Sequence, residues 1–352
     1  MWALNNQTPF AAERTWVRDK QGAEVWLVAV KGTFDIQANG TLIPAEDQEE
    51  VVLAPEFSGD PQSSSLLADT DLPHRKAATD VILFGHAYAP NQKPATKLRV
   101  AMKVGSIDKQ LQVTGDRVWE NSITGPVIGY AQAFLKMPIT YERAYGGMDL
   151  TSENEKEHDW ELCNPAGSGF AVRQRNLIDQ PVPNIADSGA ALTHLLKNPK
   201  PAGFGPIAGH WSPRRELTGT YDENWEKTKQ PLLPDDFDEQ YYQCAPKDQQ
   251  VPGYLKGGEV VDLSNLTPNG RLQFRLPRVS LSFSTHFDDG SSESHRAALH
   301  TVILRPDVPR VVMVWHTHLE CHHKVLKLNE TVIRVKERIM LSEEARAAQV
   351  PV

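Results

Sequence analysis

Apolar residues recur at every second position near both ends of the chain, a period that suits a pleated strand with one buried face and not a helix. Leu98, Val100, Met102 and Val104 alternate with Arg99, Ala101 and Lys103. The turn Gly105–Asp108 then sends the chain back through Leu111 and Val113 towards Trp119. Leu272, Phe274 and Leu276 follow Asn269-Gly270 and alternate with Gln273 and Arg275, and Val279, Leu281 and Phe283 alternate with serines. Ile333, Val335 and Ile339 alternate with Arg334, Lys336 and Arg338, which predicts one more strand with a basic outer face. Two stretches differ slightly. Glu24 to Phe34 is a continuous apolar, β-branched run, and it leads into Asn39-Gly40. Asn-Gly supplies two positive-φ residues, so a type I′ hairpin is expected there. Leu299–Leu304 and Val311–Trp315 read as strands paired around a Pro-Asp-Val-Pro turn. Many short strands at close spacing predict a mainly β fold, sandwich-like or barrel-like.

The alternation stops in the middle, which divides the chain. Residues 1–145 and 259–341 are strand-rich, 146–258 are loop-rich, and 342–352 form a short helical tail capped by Ser342. These parts could also form one compact unit. Gly and Pro make up about a fifth of residues 146–258 but about a seventh of the chain. Low-complexity disorder is poor in aromatics. This segment holds Trp160, Phe170, Phe204, Trp211, Tyr221, Trp225, Phe237, Tyr241, Tyr242 and Tyr254. Irregular backbone with so many rings predicts an ordered, packed loop region, and long ordered loops usually carry function. One helix is expected over Ser188–Asn198, with Ala191, Leu192, Leu195 and Leu196 as its apolar stripe.

Composition removes several classes of function. The formal net charge is −8, so a phosphate backbone would be repelled and no nucleic-acid partner is expected. The longest purely apolar run, Val25 to Val30, is six residues and cannot span a bilayer. No secretory signal is visible at the N-terminus, and Trp2 excludes myristoylation. Neither a membrane partner nor export is therefore expected. Cys163, Cys244 and Cys321 are widely spaced and odd in number, which fits reduced thiols in the cytoplasm.

Catalytic templates are missing. There is no G-x-S-x-G elbow, H-E-x-x-H pair, phosphate loop or calcium loop. Gly203-Phe204-Gly205-Pro206-Ile207-Ala208 fits a relaxed dinucleotide motif, but no β run precedes it and Pro206 would disturb the helix start. No cofactor is expected. The best metal candidate is the stretch from His316 to His323, where His316, His318, Glu320 and His322 would share one face of a strand. Imidazoles about 7 Å apart on such a face can share a zinc ion. The preferred reading is a polar strand end with solvated histidines. Tyr141-Glu142-Arg143 and Thr220-Tyr221-Asp222 each place a carboxylate where its pKa could shift for acid–base work. Structural pairing with arginine is the preferred reading there too.

A string of short motifs adds a resemblance. In order come Asn6-Gln7-Thr8-Pro9-Phe10, Lys31-Gly32-Thr33-Phe34, Gly85-His86-Ala87-Tyr88-Ala89-Pro90 and Tyr141-Glu142-Arg143-Ala144-Tyr145-Gly146-Gly147. Asn164-Pro165-Ala166-Gly167, Pro201-Ala202-Gly203-Phe204-Gly205-Pro206-Ile207, Gly219-Thr220-Tyr221-Asp222 and Leu233-Pro234-Asp235-Asp236-Phe237-Asp238 follow. Together, over about residues 4–315, they resemble bacterial proteins of unknown function found beside PAAR-tipped effectors of type VI secretion. The resemblance implies a cytoplasmic adaptor, or effector-loading chaperone, whose partner is a PAAR-linked toxin effector, the VgrG spike, or both. Some relatives carry pentapeptide repeats, and no role resting on repeats is carried over. Trp211, Tyr221 and Trp225 are the expected partner anchors, with Phe204, Tyr141, Glu142, Arg143 and Asp222 shaping the surface around them. Two other classes stay open: an acid–base hydrolase or lyase acting on a polysaccharide or peptidoglycan-like substrate, and a carbohydrate-binding module. Opposed carboxylates in a deep cleft would favour the enzyme, and a flat row of exposed aromatics the glycan binder. A broad apolar groove without convergent carboxylates would favour the adaptor.

Overall fold

A computed structural model describes residues 2–189 and 199–336. The chain is mainly β, and its larger sheets have seven, five and four strands. The predicted alternation is the reason. In the strand Lys97–Val104 the residues Leu98, Val100, Met102 and Val104 are buried while Lys97, Arg99 and Lys103 face water. A two-residue turn joins it to Ile107–Thr114, with Val104 opposite Ile107. Arg271–Arg275 and Leu281–Phe287 follow the same rule and bury Phe274, Leu281, Phe283 and Phe287.

Turn chemistry corrects one expectation. Glu24–Ile36 does fold back onto Leu42–Pro44, pairing Ile36 with Leu42. Only Gly40 has positive φ, at +81°, and its N–H donates to the carbonyl of Gln37 at 2.8 Å. The turn is therefore a type I turn closed by a left-handed glycine and not type I′. Glycine is what the last position requires, and Asn39 is free to stay right-handed.

The seven-stranded sheet brings distant parts of the chain together. Glu24–Ile36 lies between Ala11–Arg18 and Arg310–Glu320, the latter pairing on with Ala298–Arg305 and then, in parallel, with Ala78–Leu83. Lys97–Val104 pairs likewise with Val260–Ser264 in the five-stranded sheet. Strands from both ends of the chain thus share sheets. The order of each sheet is open, so none closes into a barrel among the described residues.

Both faces of the seven-stranded sheet are buried, which explains the continuous apolar run at Val25–Val30. One face, with Trp26, Val28, Val30, Val81, Val302 and Met313, packs against the other sheets in a single core. The other face carries Val25, Leu27, Ala29 and Val314 and is covered by Val51 and Leu72 from an irregular segment. Irregular backbone brings polar groups with it, and these need partners when buried. Gln48 accepts from the N–H of Thr33 and donates to its carbonyl. Lys31 pairs with Asp71 at 3.1 Å, and Lys76 with Asp80 at 2.8 Å and Thr301 at 3.1 Å, all in the interior. Burial works against the charge on Lys76, but Asp80 outweighs it and raises the pKa of the ammonium. The helices expected over Ser188–Asn198 and after Ser342 lie at or beyond the edge of the described residues, outside them for 190–198 and 337–352.

Candidate functional site

The described residues of 146–258 are mostly irregular backbone with short strands and helical turns, and several of them line an open groove. Met148–Asp149 pairs with Asp159–Trp160, placing Met148 opposite Trp160. Two-residue strands have no stability of their own, so Asp149 fixes the ribbon from below. Its carboxylate accepts from the N–H and hydroxyl of Thr151, the N–H of Val172 and the amide of Asn176. Burial opposes its ionisation, but these donors outweigh that and hold its pKa well below the usual carboxylate range.

The ribbon leaves three large apolar side chains in water: Leu150, Trp160 and Leu162 are 55%, 42% and 44% exposed. With Met148 they form one wall of a groove of about 760 Å³. Arg215, Thr218, Gly209, His210 and Tyr241 also line it. A second compartment of about 330 Å³, lined by Phe57, Leu66, Pro73 and Tyr242, shares Gly209, His210 and Tyr241 with the first. These three residues are a saddle between the two. A Cβ at position 209 would stand 2.6 Å from the Tyr241 hydroxyl oxygen, so any larger residue there would push the Tyr241 ring aside. Tyr241 is held by the Arg214 guanidinium, 4.9 Å from its ring centre, and by Phe237 and Tyr242 at 5.7 and 5.8 Å. Arg214 is buried and bonds Asp69, the Ile207 carbonyl and the Tyr241 carbonyl. Among the described residues no carboxylate lines the larger compartment, and the one in the smaller, Asp69, is tied up by Arg214.

The expected anchors divide into two sets, and the first is corrected. Phe204 and Trp211 are fully buried and Tyr141 nearly so. Tyr141 packs its ring edge-on against Trp211 at 5.7 Å and donates to the Gly205 carbonyl at 3.2 Å. These rings fill the core beneath the groove and present no surface to a partner. Tyr221 and Trp225 form a separate knob, with rings 4.7 Å apart, and Tyr221 is 52% exposed. Neither lines the groove.

The charged candidates hold the backbone. Asp222 caps the helix Glu223–Thr228 by accepting the N–H of Trp225 at 2.8 Å. Asp222→Ala should cost about 1 kcal/mol, as lost N-caps do, seen as a lower urea midpoint with an unchanged slope. Glu142 accepts the N–H of Ser65 at 2.8 Å and pins the segment before it to the core. Burial works against its charge, yet the donors from Ser65 and Thr140 leave its pKa lowered. Arg143 pairs with Asp116 at 2.8 Å and Asn184 at 3.1 Å, not with Glu142. In Glu142→Ala the Ser65 N–H loses its acceptor, and a loss of about 1–3 kcal/mol should appear in the same unfolding measurement.

The histidines do not converge. The strand ends at Glu320, and His322 sits in the following turn at φ +44°, off the face carrying His316 and His318. His316 is not solvated either. It is buried against His300, with ring centres 5.0 Å apart, while His318 meets His74 at 5.1 Å. Among the described residues no group of three or more His, Cys, Asp or Glu side chains is placed to hold a metal. Leu150, Trp160, Leu162, His210 and Tyr241 were missed as site residues. Trp160 between Asp159 and Glu161 was the available signal, since a large ring in an acidic stretch is seldom core.

Packed sheets that carry an open apolar groove on an irregular middle segment define a β scaffold with an exposed surface at its loops. Over residues 21–316 the chain matches the family described as "Uncharacterized protein conserved in bacteria (DUF2169)", and it belongs to that family. No curated protein and no solved structure matches it. No helix among the described residues is long and apolar enough to cross a membrane.

Proposed function

We propose that this protein is a cytoplasmic adaptor that binds a PAAR-linked type VI secretion effector and helps load it onto the PAAR/VgrG spike. One observation carries the reading: the groove beside the Met148–Trp160 ribbon is open, largely apolar, and lined by no carboxylate among the described residues. Hydrolysis of a glycan by acid–base chemistry usually takes two carboxyl groups facing one substrate, and among the described residues the groove offers none. A glycan-binding face needs a flat row of rings, whereas Leu150, Leu162 and Met148 make this wall mostly aliphatic. Large exposed apolar patches rimmed by polar residues mark protein-binding surfaces. The motif resemblance over about residues 4–315 supplies the secretion system.

Leu150→Asp and Trp160→Ala change exposed side chains, so both variants should melt within a few degrees of the unaltered protein. Each should weaken effector binding by about 30-fold, the equivalent of a 2 kcal/mol hot spot. Isothermal titration against the purified effector measures this. Wild-type affinity in both variants would move the effector site off the groove. No complex at all with a PAAR-linked protein would end the adaptor reading.

A further inference from the structure

Arg214 and Arg215 are neighbours with opposite surroundings. The guanidinium of Arg214 is buried and fully engaged. Arg215 is exposed, lines the larger compartment, and makes no side-chain hydrogen bond or ion pair among the described residues. Its backbone is nonetheless fixed, because its N–H donates to the Trp211 carbonyl at 3.0 Å and its carbonyl accepts the Thr218 hydroxyl at 2.7 Å. An unpaired cation on a fixed turn therefore lines the same groove as Met148, Leu150, Trp160 and Leu162.

Resting on the adaptor reading, we infer that the groove holds a peptide segment of the partner protein that combines apolar side chains with a carboxylate. The apolar side chains lie against the ribbon, and the carboxylate meets Arg215. Charge complementarity names the acid: an unpaired guanidinium at the rim of an apolar groove attracts a carboxylate and repels a lysine. Shape names the peptide. Two compartments joined over a low saddle take successive side chains of one chain better than a single compact ligand.

Panning a phage-displayed library of random 12-residue peptides on the full chain tests this. Enriched peptides should carry two or more large apolar residues and an Asp or Glu. Their affinity should fall at least about tenfold with Arg215→Glu and with Leu150→Asp. Changing the peptide's acid to Lys should restore binding to Arg215→Glu alone. Enriched peptides without an acid, or peptides that bind Arg215→Glu as tightly as the unaltered protein, overturn the inference. So does a concentration-dependent dimer that either substitution abolishes, because a second copy would then fill the groove. Effector titration separates the two readings. If the effector binds both variants normally, the adaptor stands and the groove inference falls. If the peptides behave as expected and no effector binds, the groove inference stands and the adaptor falls.

Discussion

Lowering the pH from 7.5 to 5 should remove about 4 kcal/mol of folding stability through the buried imidazoles of His295 and His316, about 2 kcal/mol from each, with His300 acting in the same direction. Burial lowers the pKa of His295 to about 4 and of His316 to about 3, and that of His300 well below the ordinary value. For His316, His318, Lys76 and His74 add to the lowering after burial. A histidine with a depressed folded pKa is neutral in the native protein while the unfolded chain takes up its proton near pH 6.5. The unfolded state then binds more protons, so stability is complete above about pH 6.5 and falls as the pH drops towards the folded values. The loss is a large fraction of the stability of an ordinary domain. Urea unfolding at the two pH values measures it. His316→Gln should remove a third to a half of the acid loss, and equal midpoints at pH 7.5 and 5 for the unaltered protein would falsify the account.

Trp211→Ala should cost about 3–5 kcal/mol, and Phe204→Ala a similar amount, because each empties a site that is sealed from solvent. Trp225→Ala should cost much less. Trp225 is only half-buried, and its indole N–H to the Leu232 carbonyl, at 2.9 Å, is the principal bond lost. Thermal melts of the three variants rank them directly. A Trp211→Ala protein that melts with the unaltered chain would mean that the ring is not packed as described.

That contrast shows where sequence stops informing. A ring in a strand betrays its direction by the alternation around it, as Phe274 and Phe283 do. Trp211 and Trp225 sit in irregular backbone, where no period says which one turns inward. The strands with clear alternation were legible, as was the ordered character of the middle region. The groove was not, because its ribbon is two residues long on each side and too short to show a period. His316 was misread for another reason. What buries it includes His300 and the sheet-covering segment around Asp71 and Lys76, which no local pattern at residues 316–323 can reveal. Glu142 and Arg143 were legible as structural carboxylate and cation, but their partners, Ser65 and Asp116, were not.

The central sheet also sets a schedule for synthesis. Glu24–Ile36 leaves the ribosome early, and its partner Arg310–Glu320 follows roughly 270 residues later, a wait of about 15–60 s at usual elongation rates. In that interval the early strand can pair only with Ala11–Arg18 and Leu42–Pro44. Its other long edge, with the apolar run Val25–Val30, stands open to any passing β segment. A nascent chain stalled or released before residue 310 has no native sheet to complete. Slow growth temperatures and nascent-chain holdases should therefore raise soluble yield far more than any change made after the chain is finished.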